Sequence, residues 1–156
     1  MKRTIVTGGT GFIGANLARR LIADGHEVHL LVRPEHNPWR LTDLRSDARI
    51  HQVRLDDETG LRGLMTEVRP DWIFHLAVHG AYPHQSDVHT IVDTNVVGTS
   101  ALLDAAIAQG FEAFVNAGTS SEYGFRDRAA KETDPLEPNR IVVHNDFPPT
   151  TRPAAS

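Results

Sequence analysis

Three glycines with the spacing of a phosphate-binding turn lie near the start of the chain. Residues 7–14 read TGGTGFIG, directly after a short apolar run and directly before a helical pattern. In such a turn the first glycine permits the sharp bend, the second lets the backbone approach a pyrophosphate, and the third allows close packing of the helix on the strand. The helix N-terminus offers free N–H groups to the anion. The pattern predicts a dinucleotide site made by Gly8, Gly11, Phe12, Ile13 and Gly14; the alternative is a purely structural glycine-rich turn.

The second predicted strand ends at Arg33, a position where dinucleotide-binding folds often carry an acid. An acid there accepts a hydrogen bond from the ribose 2′-OH of NAD, whereas an arginine accommodates the 2′-phosphate of NADP. Arg33 could pair with that phosphate through a charge-assisted fork, and Arg40 could assist it. We therefore predict NADP as the cofactor, with NAD as the alternative. The other interpretation of Arg33 is an ordinary solvated loop residue.

The segments around these residues alternate between strand and helix patterns. Short runs rich in valine and isoleucine, apolar on both faces, predict buried parallel strands, and apolar residues at helical spacing follow them. The predicted strands cover residues 4–7, 28–32, 50–54, 72–78 and 113–117, and a long helix covers residues 88–107. This alternation predicts an α/β fold with a doubly wound parallel sheet, Rossmann-like, in residues 1–132.

Composition excludes several classes of partner. The 156 residues fit one domain, and a formal net charge of −4 gives no basic surface for nucleic acid. The N-terminal apolar run is too short for a membrane span, and the chain has no cysteine, so we expect a cytoplasmic protein with no membrane partner. The nine histidines show no metal-ligand spacing, so no metal is expected. Trp39 and Trp72 are expected in the core or an interface.

Several further stretches accompany the glycine turn in a fixed order. They are Asp56 after the third strand, HLA at residues 75–77, Asn95 in the long helix, GTSSEYG at residues 118–124 and ETDPLEP at residues 132–138. Together with TGGTGFIG, they resemble the extended short-chain dehydrogenase/reductase family of nucleotide-sugar epimerases and dehydratases. The resemblance runs from Thr4 to about Asn139 and implies NAD(P)-dependent chemistry on a nucleotide-sugar.

The resemblance also implies cofactor contacts beyond the turn. Asp56 would contact the adenine amino group; Asp57 beside it is either a second contact or a helix N-cap. Leu76 and Ala77 would lie against the dinucleotide, where a small side chain leaves room, and Asn95 completes the set. His75 is expected to be a packed residue at the end of a strand rather than a ligand.

The catalytic residues implied by the resemblance are incomplete. Thr119, or Ser120 as the fallback, would hold the sugar hydroxyl, although these residues could also form a hydroxyl-rich turn. The family's tyrosine and lysine, spaced Y-x-x-x-K, should follow Pro138, but no such pair is present. We therefore expect impaired catalysis. The alternatives are a non-catalytic dinucleotide-binding module and an interaction module that associates through exposed helix faces.

The last part of the chain departs from the family's pattern. Residues 133–156 are proline-rich and lack sustained periodicity, which predicts an irregular tail. The family's C-terminal substrate domain has no counterpart here, so we expect a truncated or frame-shifted copy, or an engineered fragment. By resemblance, the helix at residues 88–107 would face a second copy, which predicts a homo-oligomer.

Overall fold

Five parallel strands form one sheet in the computed structural model, which describes residues 1–80, 85–124 and 126–136. The strands are β1 (Arg3–Thr7), β2 (Glu27–Val32), β3 (Ala48–Gln52), β4 (Trp72–His75) and β5 (Ala113–Asn116). Their order in the sheet is β3-β2-β1-β4-β5, and every neighbouring pair is parallel. This order reverses direction between β1 and β4, as doubly wound sheets do. The predicted Rossmann-like fold is therefore confirmed.

Helices cover both faces of this sheet. The α-helices are α1 (Phe12–Ala23), α2 (Glu58–Val68), α3 (Val88–Val92) and α4 (Gly98–Gln109), and two 3-10 helices span Pro38–Leu44 and Ser120–Tyr123. On one face α1 buries Ala15, Ala18 and Leu21 against the sheet. On the other face α2 and α4 bury a second cluster that includes Met65 and Leu102. Burial on both faces explains why the inner strands are apolar throughout.

The predicted long helix contains an interruption. Residues Asp93–Val97 form a π-helical segment between α3 and α4, so the helix continues through Val88–Gln109 with one widened turn. Leu102, Ala105 and Ala106 in α4 are buried. By length and composition alone, the helix could cross a membrane, a criterion that core helices of soluble proteins also meet. Sequence periodicity predicts the helix but not its π turn, in which Asn95 forms hydrogen bonds with the backbone of His79.

Two strands, β3 and β4, differ from the prediction by two or more residues. β3 begins at Ala48 and ends at Gln52, two residues earlier at each end than predicted. β4 ends at His75, whereas the apolar run predicts a strand as far as residue 78. The strand ends early because the N–H groups of Leu76 and Ala77 donate to the Thr7 hydroxyl, at 3.2 and 3.1 Å, instead of to a neighbouring strand.

Residues 126–136 contain turns and no helix or strand. A two-bond fork joins the Arg128 guanidinium to Asp134, with both nitrogen–oxygen distances at 2.8 Å. The guanidinium holds the pKa of Asp134 down at about 2, with help from the Lys131 N–H. The rest of the predicted tail, residues 137–156, lies outside the described residues, so the boundary at residue 132 stays a prediction.

Candidate functional site

The glycine turn has the geometry that its sequence requires. Gly8 has φ +68°, which favours glycine, and a Cβ at this position would lie 2.7 Å from the carbonyl carbon of Leu76. The Gly11 N–H donates to the Gly8 carbonyl oxygen at 2.9 Å, which closes the bend. Gly14 faces the backbone of Gly8 and Gly9 with no room for a side chain. The turn thus holds the start of α1 close to the ends of β1 and β4.

The first turn of α1 is open to solvent. Gly11 is the N-cap and provides no side-chain cap, so the first amides of the helix lack the usual local acceptor. The side chains of Phe12 and Ile13 are 74% and 68% exposed. Any contact of these two residues with an anion therefore uses their backbone N–H groups, which the helix dipole makes attractive to negative charge.

A cleft of about 540 Å³ opens at the carboxyl ends of the strands, beside the reversal point between β1 and β4. Ligands of open α/β sheets bind at this place. Six of the predicted cofactor residues line the cleft, namely Gly8, Gly11, Arg33, Asp56, Leu76 and Ala77. The fold thus brings together residues from four separate segments of the sequence.

The other five predicted cofactor residues do not line this cleft. Phe12, Ile13 and Gly14 belong to the adjoining first turn of α1. Asp57 is the N-cap of α2, because its Oδ1 accepts the Gly60 N–H at 2.9 Å, so the structure shows the capping alternative. Asn95 lies in the π-helical segment, and its carboxamide bonds both the N–H and the carbonyl oxygen of His79 at 2.8 Å. His79 itself lines the cleft.

The 3-10 helix Pro38–Leu44 supplies an outer wall that the sequence analysis does not identify. Trp39 is 59% exposed and lines the cleft, so it is not a core residue, and its expected place in an interface stays a prediction. The Arg40 guanidinium carbon lies 4.0 Å from the centre of the Trp39 ring, and its Nη1 donates to the Thr10 carbonyl oxygen at 3.3 Å. Asn37 is the residue in the sequence that could have indicated this helix, because its side chain caps the helix by accepting the Trp39 N–H.

The arginines that line the cleft differ in whether they form ion pairs with carboxylates. Arg54 lies between two carboxylates, 3.0 Å from Asp56 and 3.6 Å from Glu35. The hydrogen bonds from Arg54 lower the pKa of Asp56, which therefore remains ionised. Arg33 is exposed at the end of β2, and no ion pair of Arg33 or Arg40 occurs among residues 1–80, 85–124 and 126–136. Two cations are thus available to an anionic ligand.

The predicted hydroxyl residues lie beyond β5, at the same edge of the sheet as the cleft but not among its lining residues. Thr119 is half-buried, and its carbonyl oxygen accepts the Glu122 N–H at 3.3 Å. Ser120 begins the 3-10 helix Ser120–Tyr123, and its side chain lies outside the described part of the molecule. The turn and the sugar-hydroxyl interpretations both remain compatible with this geometry.

Metal binding has no visible basis in the described ranges, which contain no group of three or more histidine, aspartate or glutamate side chains arranged to hold an ion. The cleft is lined by the glycine turn, apolar side chains and three arginines, together with Asp93 and with Asp56, whose carboxylate is paired with Arg54. These groups suit a phosphorylated organic ligand better than a bare cation.

Known proteins share both the sequence pattern and the fold. Residues 4–141 match the model of the NAD dependent epimerase/dehydratase family. A GDP-mannose 4,6-dehydratase of Vibrio cholerae is 33% identical over 152 residues, covering 88% of this chain and 41% of the relative. A UDP-glucose 4-epimerase of Mycolicibacterium smegmatis is 38% identical over 128 residues, covering 78% of this chain and 40% of the relative. The chain thus spans about two fifths of the length of these relatives.

Solved structures show the same arrangement of strands and helices. The UDP-glucose 4-epimerase of Thermotoga maritima, solved with UDP-glucose, has a TM-score of 0.76 and 26% identity, covering 86% of this chain and 44% of that protein. The UDP-glucose-4-epimerase of Stenotrophomonas maltophila, solved with NAD and a formylated UDP-arabinopyranose, has a TM-score of 0.78 and 24% identity over 87% of this chain and 43% of that protein. The fold, the glycine turn and the family match agree, and the chain belongs to the NAD-dependent epimerase/dehydratase family.

Proposed function

We propose that the chain is the NADP(H)-binding part of a nucleotide-sugar epimerase, dehydratase or ketoreductase. The observation that carries this proposal is the cleft at the reversal point of the sheet, which is lined by Gly8 of the glycine turn and by Arg33, a residue without an ion pair among the described residues. The pyrophosphate of the dinucleotide would lie against the amides of Phe12 and Ile13 at the start of α1. Ala77 would face the dinucleotide from the opposite side of the turn.

The electrostatics at the end of β2 favour NADP over NAD. The nearest acid in sequence, Glu35, lies 3.6 Å from Arg54 and is engaged in that ion pair. Arg33 and Arg40 both line the cleft, and a guanidinium forms two parallel hydrogen bonds to a phosphate group. NAD is the alternative, supported by the Stenotrophomonas maltophila neighbour solved with NAD.

The substrate proposal rests on the relatives. A nucleotide-sugar is the substrate class of the dehydratases and epimerases that resemble this chain, and the Thermotoga maritima neighbour was solved with UDP-glucose. Thr119, or Ser120, would hold the reacting sugar hydroxyl. The bound dinucleotide would supply the hydride acceptor or donor for the sugar carbon.

Catalysis by this segment alone is proposed to be impaired. A tyrosine acting as general acid/base needs a lysine one helical turn later to lower its pKa, and the 156 residues contain no Tyr-x-x-x-Lys sequence. Tyr123 is followed at that spacing by Asp127, so it does not replace the pair. This observation favours the second candidate function, a module that binds the dinucleotide without turnover.

Self-association is a further part of the proposal. The helix Val88–Gln109 exposes several large apolar side chains, which are Val88 (57%), Val92 (40%), Val96 (59%), Val97 (51%) and Ile107 (61%). Contiguous exposed apolar surface commonly marks a contact between proteins. A second copy of the chain is the proposed partner, and the expected place of action is the cytoplasm.

Calorimetric titration with NADPH and NADH tests the cofactor proposal. We expect NADPH to bind more tightly, and Arg33→Ala to weaken NADPH binding by about tenfold or more, the loss of a charge-assisted hydrogen bond. NADH binding should remain unchanged in this variant. Arg62→Ala, an exposed arginine on α2 away from the cleft, is the matched charge control.

The possible results separate the hypotheses. Binding of neither dinucleotide contradicts the proposal altogether, whereas equal binding of both, insensitive to Arg33, supports the NAD alternative. Incubation of NADPH with a keto-sugar nucleotide then tests turnover through absorbance at the nicotinamide band. Binding without oxidation is expected, and steady oxidation would show that the missing pair is not required.

A further inference from the structure

A series of hydrogen bonds through buried and half-buried groups connects β1 to the long helix. His75, at the end of β4, is 3% exposed. Its Nδ1 lies 2.7 Å from Thr7 Oγ1, and its Nε2 lies 2.9 Å from Thr99 Oγ1 in α4. The Thr99 hydroxyl in turn donates to the carbonyl oxygen of Asn95 at 2.8 Å. Four residues from three elements thus form one continuous chain of hydrogen bonds.

The protons along this chain have only one consistent arrangement. Thr7 Oγ1 accepts the N–H groups of Leu76 and Ala77, which occupy both lone pairs of the hydroxyl oxygen. Its single proton must therefore go to His75 Nδ1, which acts as an acceptor. The neutral ring then carries its proton on Nε2 and donates to Thr99 Oγ1. The neighbouring groups thus set the tautomer of His75, and burial lowers its pKa, which favours the neutral ring.

Both ends of this series of hydrogen bonds involve residues next to the proposed dinucleotide cleft. At one end, Leu76 and Ala77 line the cleft and are held by the Thr7 hydroxyl. At the other end, the Asn95 carboxamide forms hydrogen bonds with the N–H and the carbonyl oxygen of His79, which also lines the cleft. Asn95 belongs to the π-helical segment Asp93–Val97, and π turns inside α-helices frequently occur at functional sites.

We propose that His75 is a positioning residue. Through its hydrogen bonds to Thr7 and Thr99, it fixes the position of Leu76 and Ala77, which line the cleft, relative to the π-helical segment. The ligand part of this inference rests on the proposed dinucleotide function. The histidine does not contact the dinucleotide, but it keeps the cleft pre-formed, and a pre-formed site binds more tightly because less ordering accompanies binding.

NMR without any ligand first tests the relay, that is, the series of hydrogen bonds through Thr7, His75, Thr99 and Asn95. The ¹⁵N shifts of the ring are expected to show an Nε2–H tautomer for His75 in the wild-type protein. Thr99→Val removes the acceptor for that proton, so the tautomers should mix. Amide exchange at Leu76, Ala77 and His79 should then quicken by about three- to tenfold, the effect of one hydrogen bond. Thr99→Ser keeps the hydroxyl and should restore both properties.

A matched control separates the relay from ordinary helix effects. The Thr66 hydroxyl in α2 donates to the Arg62 carbonyl four residues earlier at 2.9 Å, as Thr99 does to Asn95. Among the described residues, however, Thr66 forms no hydrogen bond with a histidine. Thr66→Val should therefore leave the His75 tautomer and the three amides unchanged. An Nδ1–H tautomer in the wild-type protein overturns the inference, whatever the variants do.

The affinity for NADPH shows whether the relay affects ligand binding in the cleft. Thr99→Val is expected to weaken NADPH binding by about three- to tenfold, with recovery in Thr99→Ser. If the wild-type protein binds neither dinucleotide, the proposed function is wrong, while the tautomer and the amide exchange still decide the relay. If the wild type binds NADPH and Thr99→Val changes neither exchange nor affinity, the positioning role is overturned.

Discussion

Gly14 faces Gly8 across the turn so closely that a methyl group on Gly14 would overlap the Gly8 carbonyl. Gly14→Ala should therefore push α1 away from the turn, destabilise the fold by about 1–3 kcal/mol and abolish dinucleotide binding. Denaturant unfolding and calorimetry measure the two effects. Gly63→Ala is the control, because a Cβ at this exposed position in α2 meets nothing within 4 Å. The control should gain about 0.5–1 kcal/mol from helix propensity.

The neighbouring acids Asp56 and Asp57 should respond differently to substitution. Asp57→Ala removes the N-cap of α2 and should lower the free energy of unfolding by about 1 kcal/mol without changing dinucleotide affinity. Asp56→Ala removes only an exposed ion pair with Arg54, so its effect on stability should be within about 0.5 kcal/mol. Its effect on affinity should be about three- to tenfold if Asp56 contacts the adenine. The same response in both variants would contradict this division of roles.

Acid should destabilise the protein through three histidines that are buried or half-buried. His29 Nδ1 lies 2.8 Å from His51 Nε2, and burial lowers the pKa of His29, His51 and His75. The folded state therefore binds fewer protons than the unfolded state, so the stabilisation is complete above the unfolded pKa of about 6.5 and is lost as the pH falls below it. Each proton contributes at most about 1.4 kcal/mol per pH unit.

Urea unfolding between pH 5 and 7.5 measures this dependence. His51→Gln should reduce the slope, because one of the three histidines no longer takes up a proton on unfolding. His89→Gln, at the exposed start of α3, is the matched control. A free energy of unfolding that stays constant over this range would show that the histidines are not protonated on unfolding.

The exposed apolar side chains of the long helix should control self-association. Sedimentation velocity over a hundredfold concentration range is expected to show a dimer that Val96→Glu dissociates, since a carboxylate in an apolar contact is costly to bury. Leu136→Glu changes an equally exposed apolar residue, at 60% against 59%, outside the helix and should have no effect. A wild-type protein that remains monomeric at the highest concentration would remove this part of the proposal.

Local sequence patterns were sufficient to predict the strands and the glycine turn. The order of apolar runs predicts all five strands, and the spacing of Gly8, Gly11 and Gly14 predicts the turn, because both depend on neighbours within a few residues. The same spacing explains why the cleft lies beside the end of β1. Arg33 could be placed at the cleft because its position follows directly from the end of β2.

Contacts between distant segments decided the rest. Whether Asp56 or Asp57 faces the cleft depends on where α2 begins, and the place of Trp39 depends on how a 3-10 helix folds back towards the glycine turn. The early end of β4 and the tautomer of His75 follow from hydrogen bonds to Thr7, which lies 68 to 70 residues earlier in the chain. The sequence by itself thus determined the strands, the turn and the charge at the end of β2. Only the tertiary structure decided which side chains meet across the cleft, because those hydrogen bonds form between residues that no local pattern relates.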